Sequence, residues 1–157
     1  MPEMSQEIVA AQIRAVLHEA FEGPPEGFAY FSDHGDDAGL LNQLNRITAE
    51  EASREIGGTT IAAHVHHLAF SLHASAAWLR GDRDRPNWPE SWAVSSVDMA
   101  GWELEQEALR EARDGLLAAV DAHAFRDEMT IGITLGNIAH IACHLGAIRQ
   151  KVNLLRG

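Results

Sequence analysis

Apolar residues recur every three or four positions through four long segments of this chain, and strand-like alternation is scarce. The first segment, Ser5 to Glu22, gathers Ile8, Ile13, Val16, Leu17 and Phe21 on one face. Ser5 is its expected N-cap, Glu7 complements the helix dipole, and Gly23-Pro24-Pro25 stops it. His18 borders the face as a structural residue. Residues 23–37 read as a loop with Phe28, Tyr30 and Phe31, ending in Asp33, His34, Asp36 and Asp37. That polar cluster is a second cation site, a rim over a pocket or, more simply, a turn in which Asp37 caps the next helix. Ala38 to Arg46 then forms a short helix, with Leu40, Leu41, Leu44 and Ile47 inward. Thr48 and Glu51 match a capping box for another short piece through Arg54, and Gly57-Gly58 breaks it.

The second long helix begins at Thr59 or Thr60 and reaches Arg80. Ile61, Val65, Leu68, Leu72, Ala76 and Leu79 form its apolar stripe. A neighbouring face carries Thr60, His64, His67, Ser71, Ala74 and Trp78. Residues 81–96 are too long for a tight hairpin and suit a crossover, with Trp88 and Trp92 within them. Asp98 caps a third helix to about His123, with Leu104, Ala108, Ala112, Leu116 and Val120 expected inside and its glutamates solvated. After a turn at 122–127, the fourth helix runs from about Glu128 to Leu155. Ile131, Ile138, Leu145 and Val152 repeat every seven residues, as do Ile141, Ile148 and Leu155. Two such stripes suit a bundle core, and the expected architecture is an all-α four-helix bundle in a single domain, 1–157.

A polar seam interrupts the fourth helix: Asn137, His140 and His144. His140 and His144 lie one turn apart on one face, close enough for both imidazoles to reach one metal ion. Core histidines hydrogen-bonded to neighbours would show the same spacing. The second helix offers His64 and His67 as a further pair at i and i+3, with buried polar residues as the alternative.

Charge narrows the functions. The formal net charge is −11, from 12 basic and 23 acidic residues, with one lysine, Lys151. Nucleic acid is therefore not an expected partner, since phosphate binding needs clustered cations. Nine histidines in 157 residues are the unusual feature. The single Cys143 excludes an internal disulfide and fits a reducing compartment. The N-terminus does not read as a signal peptide, and no uninterrupted apolar run reaches the roughly 18 residues of a membrane span. The expected location is the cytoplasm, with no membrane partner.

The segments TTIAAHVHHLAFSLHASAAWLRG (59–81), NWPESW (87–92) with Trp102 following, and HIACHLGAIRQ (140–150) together resemble the DinB-like superfamily, the DinB/YfiT-like metalloproteins. The likeness extends over most of the chain from Ala38 onward. It implies a four-helix bundle with crossover connections, often a homodimer, holding a divalent metal, commonly zinc or nickel, on three histidines. The family's ligand on the second helix lies seven positions after the helix-start Ser or Thr and precedes an apolar residue. Counted from Thr60, that position is His67, followed by Leu68; the paired ligands match His140 and His144.

Similar proteins of known activity include thiol-dependent S-transferases and a thiol-dependent isomerase of maleylpyruvate type. The resemblance therefore implies an enzyme acting on a small-molecule substrate, with a low-molecular-weight thiol or water activated at the metal. His64 and Asn137 would orient ligands or substrate, and Arg149 would meet an anionic group if it faces the cavity. Trp88 and Trp92 are either pocket walls or hydrophobic cover, and Cys143 reads as packing. The rival is a non-catalytic metal-binding stress or structural module, closed by His64 or His34 as fourth ligand.

Overall fold

The computed structural model describes residues 6–157 and, among them, contains six α-helices and no strand. The helices are α1 (Gln6–Glu22), α2 (Leu40–Leu44), α3 (Ala49–Ser53), α4 (Ile61–Arg80), α5 (Met99–His123) and α6 (Glu128–Arg156). The expected cap Ser5 lies outside the described residues. The other starts follow local chemistry. Thr48 and Glu51 complete the capping box of α3, Thr60 Oγ1 accepts from the Ala63 amide, and Asp98 accepts from Gly101. Asp127 and Thr130 form a second capping box that starts α6.

Asp37 does not cap α2. The helix starts later, at Leu40, after Gly39 with φ 81° and no side-chain cap. A Cβ on Gly39 would lie 2.2 Å from the Gly23 nitrogen, so the backbone there accepts only glycine. Two chain segments cross at this point, and the contact sets the helix boundary.

Helix directions follow from contacts at their ends. The Lys151 ammonium near the end of α6 donates to the carbonyls of Ile56 and Thr59, just before α4. Arg126, just before α6, donates to the Leu79 carbonyl at the end of α4. α4 and α6 are therefore antiparallel. Before α5, the Val97 amide donates 2.9 Å to Ser53 Oγ, close to the start of α4. α4 and α5 thus run parallel, and the connection between them returns along α4. That return contains a 3-10 turn, Trp88–Trp92, in a stretch expected to be irregular. Arg14 on α1 meets Asp121 on α5 at 2.7 Å.

The core lies between the four long helices and α2, with Leu17, Phe21, Leu44, Leu72, Leu116 and Ile148 fully buried. Two expected stripes hold only in part. On α5, Leu104 is 71% exposed, and Ala108 is exposed as well. Ala112, Leu116 and Val120 are buried as expected, and Trp102, Leu109 and Ala119 complete the buried face. Trp102 anchors this register, its indole donating 2.8 Å to the Ile47 carbonyl. On α6, Ile141 and Ile148 are buried while Ile131 is exposed. By length and composition α6 would be able to cross a membrane; in this fold it packs against α1 and α4.

Candidate metal centre

His64 and His67 stand one turn apart on α4, and His140 and His144 one turn apart on α6. Because the two helices are antiparallel, His67 faces His140 and His64 faces His144. The Nε2 atoms of His67 and His140 are 3.2 Å apart, and those of His140 and His144 2.9 Å apart. One ligating nitrogen from each of His67, His140 and His144 falls within 4.8 Å of the others, an arrangement that could hold a metal ion. Tetrahedral ligation at about 2.0–2.1 Å per bond would separate neighbouring nitrogens by about 3.3 Å. The two close pairs are already near that spacing, so the donor set fits a divalent ion such as zinc.

The outer ring nitrogens are held as well. His67 Nδ1 lies 2.8 Å from Ser91 Oγ, and Ser91 in turn donates its hydroxyl to the Trp88 carbonyl at 2.7 Å. With its proton spent there, Ser91 can only accept from His67. That fixes the proton on Nδ1 and leaves Nε2 with its lone pair inward. His140 Nδ1 lies 3.2 Å from Ser71 Oγ, and His144 Nδ1 lies 2.9 Å from His64 Nδ1. Each of the three rings therefore has a partner behind it. Ser71 appeared in the sequence only as a member of the histidine face. Ser91 gave no sign at all, because a 3-10 turn carries no periodic pattern.

Burial keeps these rings neutral. Desolvation first, then Lys151 and His67, pushes His64 down to about 4, and desolvation with the neighbouring His140 and His66 does the same to His67. His144 falls to about 3, mainly through desolvation and secondarily through the other three rings, and burial also lowers His140. Neutral imidazole is the metal-binding form.

Tryptophans cover the cluster. Trp92 stacks on the His67 ring with centroids 4.1 Å apart, and Trp88 lies 6.5 Å from the same ring. Beside His140 opens a pocket of about 250 Å³ lined by Ser71, Ser75, Trp78, Trp88 and Asn137. The Asn137 amide donates 2.8 Å to the Ile133 carbonyl on its own helix. A depression of about 620 Å³ lies along the exposed Leu104 face of α5 and contains no histidine. A further cleft of about 430 Å³ holds His66, which meets Glu105 at 3.1 Å on the α5 side of α4.

Two expected participants lie elsewhere, and one residue expected to pack does not. Arg149 lines a separate crevice and sits 3.9 Å from Asp33. His34 is exposed in its loop. Cys143 is exposed, not packed, because a position about 100° from His144 faces solvent. Comparison with family models, with curated proteins and with solved structures finds no match to this chain.

Proposed function

We propose that this chain is a divalent-metal-dependent enzyme of the DinB-like kind, acting on a small molecule by thiol S-transfer or a related metal-activated reaction of thiol or water. The observation that carries the reading is the convergence of three neutral Nε2 atoms beside an open pocket of about 250 Å³. Bound there, zinc or nickel would supply Lewis acidity, enough to favour the deprotonated form of a thiol or water near neutral pH. The chain's own residues do the rest. His67, His140 and His144 hold the ion, while Ser91, Ser71 and His64 fix their orientation. Trp78 and Trp88 wall the pocket, and Asn137 lines it beside His140.

The closed alternative, a non-catalytic site with a fourth protein ligand, draws no support from His64. Its ring meets the outer nitrogen of His144 rather than the shared inner point. The bundle with crossover connections, a homodimer and a cytoplasmic setting belong to the same reading. Exposed Leu135 and Ile131 on α6 offer apolar surface for a second copy.

Elemental analysis of purified protein tests the centre: about one divalent ion per chain is expected, and His140→Ala should abolish it. A thiol-transfer screen with and without chelator then tests the chemistry. Turnover that requires metal and is absent from His140→Ala supports the enzyme. Stoichiometric metal with no turnover on any thiol or water-dependent substrate would favour the non-catalytic module.

A further inference from the structure

The crevice that contains Arg149 has its own chemistry. It encloses about 110 Å³ between the end of α2 and the last turns of α6. Arg46, Arg149 and Arg156 all line it, three of only 12 basic residues in a chain of net charge −11. Arg149 and Arg156 are seven residues apart on one face of α6, and Arg156 donates 2.7 Å to the Arg46 carbonyl. Three guanidiniums lining one crevice favour an anion between them. Two of their three ion-pair partners within the chain are weak. Asp36 and Asp33 stand 3.9 Å from Arg46 and Arg149 with side chains 96% and 92% exposed. Glu51 meets Arg156 at 3.4 Å.

A second observation narrows the ligand. Gln43 lines the same crevice, is 6% exposed, and its buried Oε1 has no hydrogen-bond partner, alone in this respect among the described residues. A buried acceptor without a donor is costly, so the natural occupant brings a proton. Asp37 adds a second acceptor to the lining. The crevice thus presents three planar cationic donors and two acceptors. Sulfate only accepts, and it would face the Asp37 carboxylate and Gln43 with no hydrogen between them. Inorganic phosphate at neutral pH keeps at least one proton on oxygen, which can be donated to one of these acceptors while its other oxygens accept from the guanidiniums.

We infer that this crevice is a binding site for a protonated phosphate group, gripped by Arg46, Arg149 and Arg156 and selected over sulfate by the Gln43 and Asp37 acceptors. The group is free phosphate, since the volume admits little beyond it and a phosphomonoester has largely lost the needed proton at neutral pH. The site shares no residue with the histidine cluster and does not depend on the reaction proposed for it.

Titration calorimetry on the metal-loaded full chain tests it, using inorganic phosphate, sulfate and glycerol phosphate as probes. Saturable phosphate binding is expected, with sulfate weaker by at least about tenfold. Arg149→Gln should weaken phosphate by at least about tenfold, and Arg46→Gln should act the same way. Gln43→Leu should narrow the gap between phosphate and sulfate. Unchanged helical circular dichroism establishes that each variant is folded. Glycerol phosphate, largely unprotonated at neutral pH, should bind weakly as sulfate does, and binding equal to that of phosphate would overturn the role given to the proton. Phosphate can also bind a metal, so His140→Ala is the control and should retain phosphate affinity. Absent saturation, equal binding of phosphate and sulfate, or binding lost in His140→Ala but kept in Arg149→Gln would each overturn the assignment.

Discussion

A histidine can present its inner nitrogen to a cation only if its outer nitrogen carries the proton. Ser91 sets that condition for His67, and Ser71 and His64 stand within hydrogen-bond distance of the outer nitrogens of His140 and His144. Ser91→Ala and Ser71→Ala should therefore lower metal affinity by about 10–100-fold while leaving the stoichiometry at saturation unchanged. Competition with a chromogenic chelator measures this; affinity equal to the parent's would mean that the serines only fill space. Burial of the same rings predicts the response to acid. His64 and His67 are held near 4 and His144 near 3, below the ordinary 6.5. Above 6.5 the ring is neutral in both the folded and the unfolded chain. As pH falls, the unfolded chain takes up protons that the folded chain refuses. The associated stability is therefore complete above 6.5 and is lost as pH drops toward 4 and then 3. Urea denaturation of metal-free protein from about pH 7.5 to about pH 4.5 should show the midpoint falling steadily below about 6.5. A flat profile would mean that the rings are solvated.

Within the elements, what the sequence disclosed was what local chemistry decides. Thr48 with Glu51, Thr60 and Asp98 cap the helices they were expected to cap. The pair His140 and His144 was legible because one helical turn was enough to bring the two rings together. Tertiary crossings were not legible. Nothing near Gly39 in the sequence reveals that Gly23 passes against it, so Asp37 looked like the cap. Leu104 fitted an apolar stripe on α5 as well as Leu109 does; Ala112, Leu116 and Val120 face inward as expected, and Trp102, bonded to the Ile47 carbonyl, takes the inward place Leu104 was given. Glu19 is a further case, a carboxylate with no accessible surface on an otherwise ordinary helix. It accepts from the amides of Tyr30, Phe31 and Ser32 at 2.7, 2.9 and 2.7 Å, and from the Ser32 hydroxyl at 2.8 Å. Burial alone would raise its pKa, but the four bonds outweigh it and hold the carboxyl below its usual range. Glu19→Ala would strand those donors and should cost about 2–4 kcal/mol of stability. Urea midpoints would show the loss. Metal content should stay at the parental level, because the 30–32 loop contributes nothing to the histidine cluster.

At the level of the whole molecule, the candidate centre is a bond between two antiparallel helices that are far apart in sequence. His67 belongs to α4, and His140 and His144 belong to α6. A cation shared by them would cross-link the middle of the fold, and unfolding would have to release it. Mass action then ties stability to occupancy: metal at about 1,000 times its dissociation constant adds about 4 kcal/mol. Chelation should lower the melting temperature accordingly, and readdition should restore it. Lys151 sets the register on which this link depends, because its ammonium grips the carbonyls of Ile56 and Thr59 ahead of α4. Lys151→Met removes that grip but keeps the buried stem. It should lower the melting temperature even in chelator, and it should also shrink the gain produced by metal, since α6 can then slide against α4. Calorimetric melting of the parent and the variant, each with metal and with chelator, separates the two effects. A metal-induced gain that Lys151→Met leaves intact would show that the three imidazoles find their geometry without this anchor. A parent whose melting is the same with metal and with chelator would remove the case for a cation bridging the two helices.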